Sequence, residues 1–177
     1  LGEVLGAGGM GNQTTDAVAF NTAAHKKTDH NWDVSWLARF AENKSAAYET
    51  GLARKTRSPG LYERYTWSTW QMAAFMNNFV GDGNGYVGDI NLKPEVAYTT
   101  HVSGEWRDAE GAWRLKLSPY ISHVDDYIDA ICISGCVPNN FRVLRYANHD
   151  ARLYGLDVEV ESRLAKNTAW GDWLLSG

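Results

Sequence analysis

The sequence predicts an all-β chain: an antiparallel transmembrane β-barrel segment of about six strands, part of a larger barrel, with long extracellular loops. Three observations predict it. Apolar and polar residues alternate with period two over stretches of roughly 9 to 12 residues, the length a tilted strand needs to cross a bilayer; strands in ordinary domains average about 5 to 6 residues. Short polar connections alternate with long ones, as periplasmic turns alternate with external loops in outer-membrane barrels. Eight Trp and nine Tyr stand against five Phe, and amphipathic rings favour the two membrane boundaries.

The elements follow in chain order. In residues 32–41, Trp32, Val34, Trp36, Ala38 and Phe40 fall on one face and Asp33, Ser35 and Arg39 on the other. A short polar turn at 41–45 leads to a strand over 46–57, with Tyr48 and Leu52 opposite Glu49 and Lys55. A loop of about 38 residues spans 58–95. The next strand, 96–107, sets Val96, Tyr98, Val102 and Trp106 against Thr99, His101, Ser103, Glu105 and Arg107. After the turn at 108–111, residues 112–129 rise, with Trp113, Leu115, Leu117, Pro119 and Ile121 on one face. Proline inside a strand marks an edge or a bulge, so a bulge is expected over 119–123. A second excursion runs from Asp129 to Asn140, then a strand spans 141–164, where Tyr154, Leu156, Val158, Val160 and Leu164 oppose Asp157, Glu159, Glu161 and Arg163. After the turn at 165–168 a last strand begins at 169, and the Gly- and Asn-rich residues 1–31 form a third excursion.

Composition narrows the classes. A chain of 177 residues with net charge −4 carries no electrostatic footprint for nucleic acid, and 44% hydrophobic residues is too many for disorder. No apolar run approaches the ~20 residues of a membrane helix. The chain opens at Leu1 with no Met and no signal peptide, which leads to the expectation of a fragment or a processed chain.

Four segments carry a family resemblance. GLARKTRSPGLYERY (51–65) resembles the strand-into-loop segment of TonB-dependent outer-membrane receptors, and GDGNGYVGDINLKPEVAYT (81–99) their loop-to-strand return. YISHVDDYIDA (120–130) is similar to their rising strand and RYANHDARLYGLDVEV (145–160) to the descending one. The four stand in the family's order and spacing. The resemblance implies a barrel of about 22 strands plugged by an N-terminal domain, in the bacterial outer membrane. Such receptors import a metal chelate, usually a ferric siderophore, with energy from the TonB complex, which grips a segment before the plug. Residues 1–177 are then expected to be a partial barrel domain without plug or TonB-gripping segment. Partners implied are TonB, the chelate and outer-membrane lipid.

Candidate binding residues cluster in the 58–95 loop and its entry: Arg57, Tyr62, Arg64, Trp67, Trp70 and Tyr86. Exposed aromatics on a loop mark a binding surface; self-packing of the loop is the competing reading, and Arg57 with Glu63 equally suits loop anchoring. Met72 and Met76 are one helical turn apart, a weak copper signal without His or Cys nearby. Asp82–Asp89 opens like a calcium loop, but Val87 stands where Gly belongs and Lys93 where Glu belongs; a Gly-rich turn is the alternative. Cys132 and Cys136, the only cysteines, are expected to form a disulfide in an oxidising compartment. Asp157, Glu159, Glu161 and Arg163 read as a wet barrel wall. His25, His30, His101, His123 and His149 show no metal-ligand spacing, and there is no nucleophile elbow, P-loop or dinucleotide fingerprint. No metal, cofactor or catalytic residue is expected, and the protein is not expected to be an enzyme. The alternative function is a soluble β-sandwich binding module, for carbohydrate for example, with its tryptophans as stacking platforms buried between sheets.

Overall fold

Most of the described strands separate an apolar row from a polar one, and the structure keeps the two rows on opposite sides of one sheet. The computed structural model describes residues 15–40, 42–77, 79–168 and 171–177; residues 1–14 of the expected N-terminal excursion, and residues 169 and 170 at the start of the last expected strand, lie outside them. In order the elements are α1 (Thr15–Thr22), β1 (Val34–Phe40), β2 (Ala46–Arg57), α2 (Leu61–Tyr65), α3 (Gln71–Asn77), β3 (Gly85–Val87), β4 (Glu95–Arg107), β5 (Trp113–Ser134), β6 (Val143–Thr168) and β7 (Gly171–Ser176). Among the described residues the sheet has seven strands in the order β1-β2-β4-β5-β6-β3, with β7 also on β6. It does not close on itself within this chain.

The chain divides into two units. One holds Trp32–Thr56, Val96–Asp125 and Asp150–Gly177. Here β1 and β2 pair antiparallel with Trp36 opposite Leu52 and Arg39 opposite Glu49, so that apolar meets apolar and charge meets charge. β4 and β5 pair antiparallel from Val96↔Asp125 to Arg107↔Arg114. On the charged face the pairs extend across the strands: Arg39 with Glu49 at 2.7 Å, Arg114 with Glu105 and Glu161 at 3.2 Å each, and Lys116 with Glu159 at 3.5 Å. On the apolar face Trp36 and Val158 remain 55% and 47% exposed, with Leu52, Ile121, Tyr154 and Leu156 beside them in exposure. The apolar rows do not meet in a dry centre, so the sandwich alternative is not favoured. Trp32 and Trp113 are exposed on this face, and the Trp106 ring lies over Gly104. Tyr98 and Trp106 are eight residues apart on β4, roughly 26 Å along a strand at about 3.3 Å per residue. No helix among the described residues is long and apolar enough to cross a membrane. Gly155 on β6 is a close approach, since a Cβ there would fall 2.7 Å from the Tyr120 ring.

The other unit holds Leu1–Asn31, Arg57–Glu95 and Asp126–His149. Its buried apolar residues are small in number among the described ones: Ala17, Phe20, Ala74, Tyr86, Val87, Ile90, Leu92, Ile128 and Val143. Residues 58–95 are not a bare loop; they fold into α2, α3 and β3.

Three expectations are corrected. The strand count rises because β3, three residues long, pairs parallel with β6 through Gly85↔Val143 and Val87↔Arg145; a buried three-residue run shows no alternation to read. β5 continues to Ser134 where an excursion from Asp129 was expected, because Ala130, Ile131, Cys132 and Ile133 are apolar on both faces and erase the period. No bulge occurs on the β4 side of Pro119: pairing is in phase on either side, His101 with Tyr120 and Gly104 with Leu117. Proline withholds an N–H but adds no residue to the strand.

The two faces make opposite forecasts for adjacent residues. Val158→Arg is expected to lower the stability of the membrane-folded protein by about 2–4 kcal/mol. Glu159→Gln, on the charged face, is expected to shift it by less than about 1 kcal/mol. Urea titrations in vesicles compare the two, and equal losses would speak against a two-faced wall.

Candidate functional site

The candidate residues sit where β2 leaves the sheet and the chain turns into α2. Pro59 is buried and cannot donate to a ladder. Gly60 N–H instead donates to Glu63 Oε2 at 2.6 Å, which caps the first turn of α2. Glu63 thereby sits 3.0 Å from Arg57 Nη1. The same guanidinium reaches Glu95, Nε to Oε2 at 2.6 Å and Nη2 to Oε1 at 2.9 Å, and Glu95 Oε1 also accepts the Ile128 N–H at 2.7 Å. One planar fork therefore clamps two carboxylates. The Glu95 hydrogen bonds raise the Arg57 pKa against its burial. Burial pushes Glu95 up, but the Arg57 hydrogen bonds and the Ile128 N–H outweigh it, and its pKa is lowered.

Arg64 is on α2, one residue beyond Glu63, and is only 6% exposed. Its Nη2 donates to Asp29 Oδ1 at 2.8 Å and to the Leu92 carbonyl at 3.0 Å. The hydrogen bond from Arg64 is the chief reason the Asp29 carboxyl lies below its usual range. Gly88 packs directly on the Arg64–Tyr65 backbone, where a Cβ would collide with main-chain atoms. That contact lets β3 draw the segment after α2 alongside it: Gly88 N–H donates to Thr66 O and Ser68 N–H to Tyr86 O, both at 2.8 Å.

The aromatic residues fall into two groups. Tyr62 stacks on Phe79 at 4.5 Å and lies 6.2 Å from both Tyr86 and Tyr146; Tyr86 stacks on Tyr146 at 5.6 Å. The Tyr86 hydroxyl donates to Asp82 Oδ2 at 2.7 Å. Burial, then Asp82, raises the Tyr86 pKa, and burial foremost pushes Tyr146 up to about 12. Both phenols stay protonated donors at neutral pH. In the second group Trp67 tilts against Phe20 at 5.2 Å. It borders a cavity of about 200 Å³ with Phe20, Val87, Asp89, Ile90 and Asn91, and its buried indole N–H has no hydrogen-bond partner among the described residues.

The structure thus places Tyr62 and Tyr86 in one aromatic cluster, Arg57 in the clamp with Glu63 and Glu95, Arg64 against Asp29 and the Leu92 carbonyl, and Trp67 beside Phe20. Trp70, at the start of α3, is 66% exposed, with Met72, Phe75 and Met76 also exposed on that helix. Arg64 and Tyr86 are buried and bonded within the protein. Asp82 closes its turn onto Asn84, and Asp89 closes another onto the Asn91 N–H; no three His, Cys, Asp or Glu side chains gather as a metal site among the described residues. Cys132 and Cys136 are joined by a disulfide. Sequence reasoning missed Asp29, Tyr146 and Asn148 as partners. Asn148 accepts the Lys93 N–H at 2.9 Å and donates to Lys93 O and Asp126 O, and the only signal was its place in the 145–160 motif.

The family model described as TonB dependent receptor-like, beta-barrel matches residues 8–177. No curated protein matches the chain. Among solved structures, the siderophore receptor PirA from Pseudomonas aeruginosa is similar at a TM-score of 0.55 and 20% identity, over 83% of this chain and 28% of that one. A mutant ferric enterobactin receptor PfeA from Pseudomonas aeruginosa, in complex with enterobactin, gives 0.52 and 17%, over 77% and 20%. The copper transporter OprC gives 0.50 and 16%, over 76% and 18%. This chain spans less than a third of the length of each, and at these identities the likeness is one of fold.

Glu95→Ala strips acceptors from Arg57 and Ile128 and is expected to cost about 1–3 kcal/mol of local stability, read as faster hydrogen exchange at the Ile128 amide. The pH dependence has a definite sign. Glu95 and Asp29 are lowered on folding, so their stabilisation is complete above the ordinary carboxylate range and is lost as pH falls through the lowered folded values. Protection of the Ile128 amide is expected to fall only in acid, below the ordinary carboxylate range; protection unchanged down to the acid limit of folding would refute the Glu95 assignment.

Proposed function

Because the chain belongs to the TonB-dependent receptor-like β-barrel family, a family of bacterial outer-membrane transport receptors rather than enzymes, we propose that it forms a sector of the wall of a receptor importing a ferric siderophore. Energy enters through the TonB complex, and the plug and the segment TonB grips belong to other parts of the full receptor. The observation that carries this reading is the two-faced sheet: exposed Trp36, Leu52 and Val158 on one side, and the ladder Arg39–Glu49, Glu105–Arg114–Glu161 and Lys116–Glu159 on the other. Hydrocarbon favours the first face and a hydrated lumen the second. The likeness to PirA and PfeA, which are described as siderophore and ferric enterobactin receptors, supports a ferric chelate as the cargo.

Within the 58–95 region and its entry the six candidates divide by accessibility. Trp70 offers an exposed ring face and Arg57, half-exposed, offers positive charge, while Tyr62 is packed on Phe79. Arg64, buried against Asp29, and Tyr86, bonded to Asp82, hold the backbone that presents them. Trp67 lines the neighbouring cavity.

A receptor-deletion strain restored with the full-length gene, grown on single iron chelates, tests the function. Growth on a ferric siderophore that disappears without TonB is the expected result; growth on none of a broad panel would overturn it. Trp70→Ala is expected to weaken chelate binding about five- to tenfold, the loss of one aromatic contact, with folding intact. Arg64→Met is expected to lower the yield of folded receptor and leave affinity unchanged; fluorescence titration and heat-dependent gel mobility separate the two.

A further inference from the structure

A basic side chain lies on the apolar face. Arg54 stands in the even-numbered row of β2 with Leu52, directly opposite Val34 of β1, and one rung along Leu52 faces Trp36. Its guanidinium carbon is 3.6 Å from the centre of the Trp32 ring and 5.8 Å from that of Tyr98. Nη1 donates to the Trp32 carbonyl and, at 2.9 Å, to Thr56 Oγ1. These bonds engage Nη1 and leave Nε and Nη2, the edge whose two parallel donors match a phosphate, for a further acceptor. The cation heads a groove of about 310 Å³ whose other walls are Val34, Trp36, Leu52, Tyr98 and Thr100. Charge at one end and hydrocarbon walls from the next rung onward is the profile of an amphiphile. The surrounding charges agree. His123, paired with Tyr98 across the sheet, holds Asp125 at 2.9 Å, so the carboxylate at this level already has a partner.

We propose that this face carries a binding site for an anionic, phosphate-bearing membrane lipid, its phosphate on Arg54 and an acyl chain along Val34, Trp36 and Leu52. The inference rests on the reading of this face as the one turned to lipid. The site lies at the strand ends that lead into the long connections, which places it in the outer leaflet. An isolated arginine on a lipid-facing strand is costly near mid-membrane and tolerable at the boundary, where the side chain reaches headgroups.

The full-length receptor is reconstituted in vesicles of phosphatidylcholine and phosphatidylglycerol at equal mole fraction, with bromine on the acyl chains of one lipid or the other. Quenching of Trp36, obtained by difference from Trp36→Phe, reports which lipid occupies the groove. Brominated phosphatidylcholine alone is expected to quench Trp36. Phosphatidylglycerol is expected to be preferred about fivefold, the advantage of one cation near an anionic headgroup. Arg54→Gln is expected to bring the ratio to one, while Arg54→Lys keeps most of it. No quenching by either lipid would sink both this site and the lipid-facing reading. Equal quenching in the unaltered receptor, or a preference that survives Arg54→Gln, would sink the site alone. Should Arg54→Gln fail to fold, salt decides on the unaltered receptor: a preference that shrinks as salt rises supports the site, and one indifferent to salt refutes it.

Discussion

The hydrocarbon interior of a bilayer offers a peptide group no hydrogen-bond partner, and on the proposed reading as a sector of a membrane barrel that constraint organises this chain. Each N–H and C=O in the spanning strands must find its partner on a neighbouring strand. The ladders β1–β2 and β4–β5 do this without slipping register. Once pairing is fixed, the pleat fixes the faces, since a shift of one residue would exchange every side chain between them. Pro119 shows how firm the arrangement is. A residue that cannot donate sits within β5, yet His101↔Tyr120 and Gly104↔Leu117 keep the same phase. One missing donor is cheaper than turning Leu115, Leu117 and Ile121 toward water.

Burial in the usual sense plays a small part in this wall. The large apolar residues of β1, β2 and β6 are exposed in the isolated chain, Trp36, Leu52, Leu156 and Val158 among them. On the proposed reading their stabilisation comes from lipid rather than from one another. The charged face works by mutual neutralisation. Glu105 lies 3.3 Å from Arg107 and 3.2 Å from Arg114, so that few charges in this ladder stand far from an opposite one. Individually such half-solvated pairs are weak. Collectively they keep a crowded wet surface free of like-charge repulsion.

Strands whose faces differ in chemistry were legible in the sequence; elements whose faces do not differ were not. Residues 96–107 alternate, 46–57 do so less cleanly, and they correspond to β4 (Glu95–Arg107) and β2 (Ala46–Arg57). β3 and the last part of β5 are apolar on both sides, and the helices α2 and α3 are too short to show a 3.6-residue period. The site divides in the same way. Aromatic density in 62–86 was visible, but which rings are accessible was not. Arg64 and Trp70 look alike as candidates in a linear sequence, and only contact with Asp29, 35 residues away, distinguishes the buried one. Glu95 and Arg57 are 38 residues apart, and no local pattern announces their bond.

Glu63 has two duties. Its carboxylate accepts the Gly60 N–H that starts α2 and holds the Arg57 guanidinium that ends β2. The helix and the strand terminus therefore share one anion and cannot unravel independently. A force or ligand that tugged on α2 would be felt at Arg57, and through Glu95 at the Ile128 amide, so this corner should open as a single cooperative latch instead of fraying residue by residue.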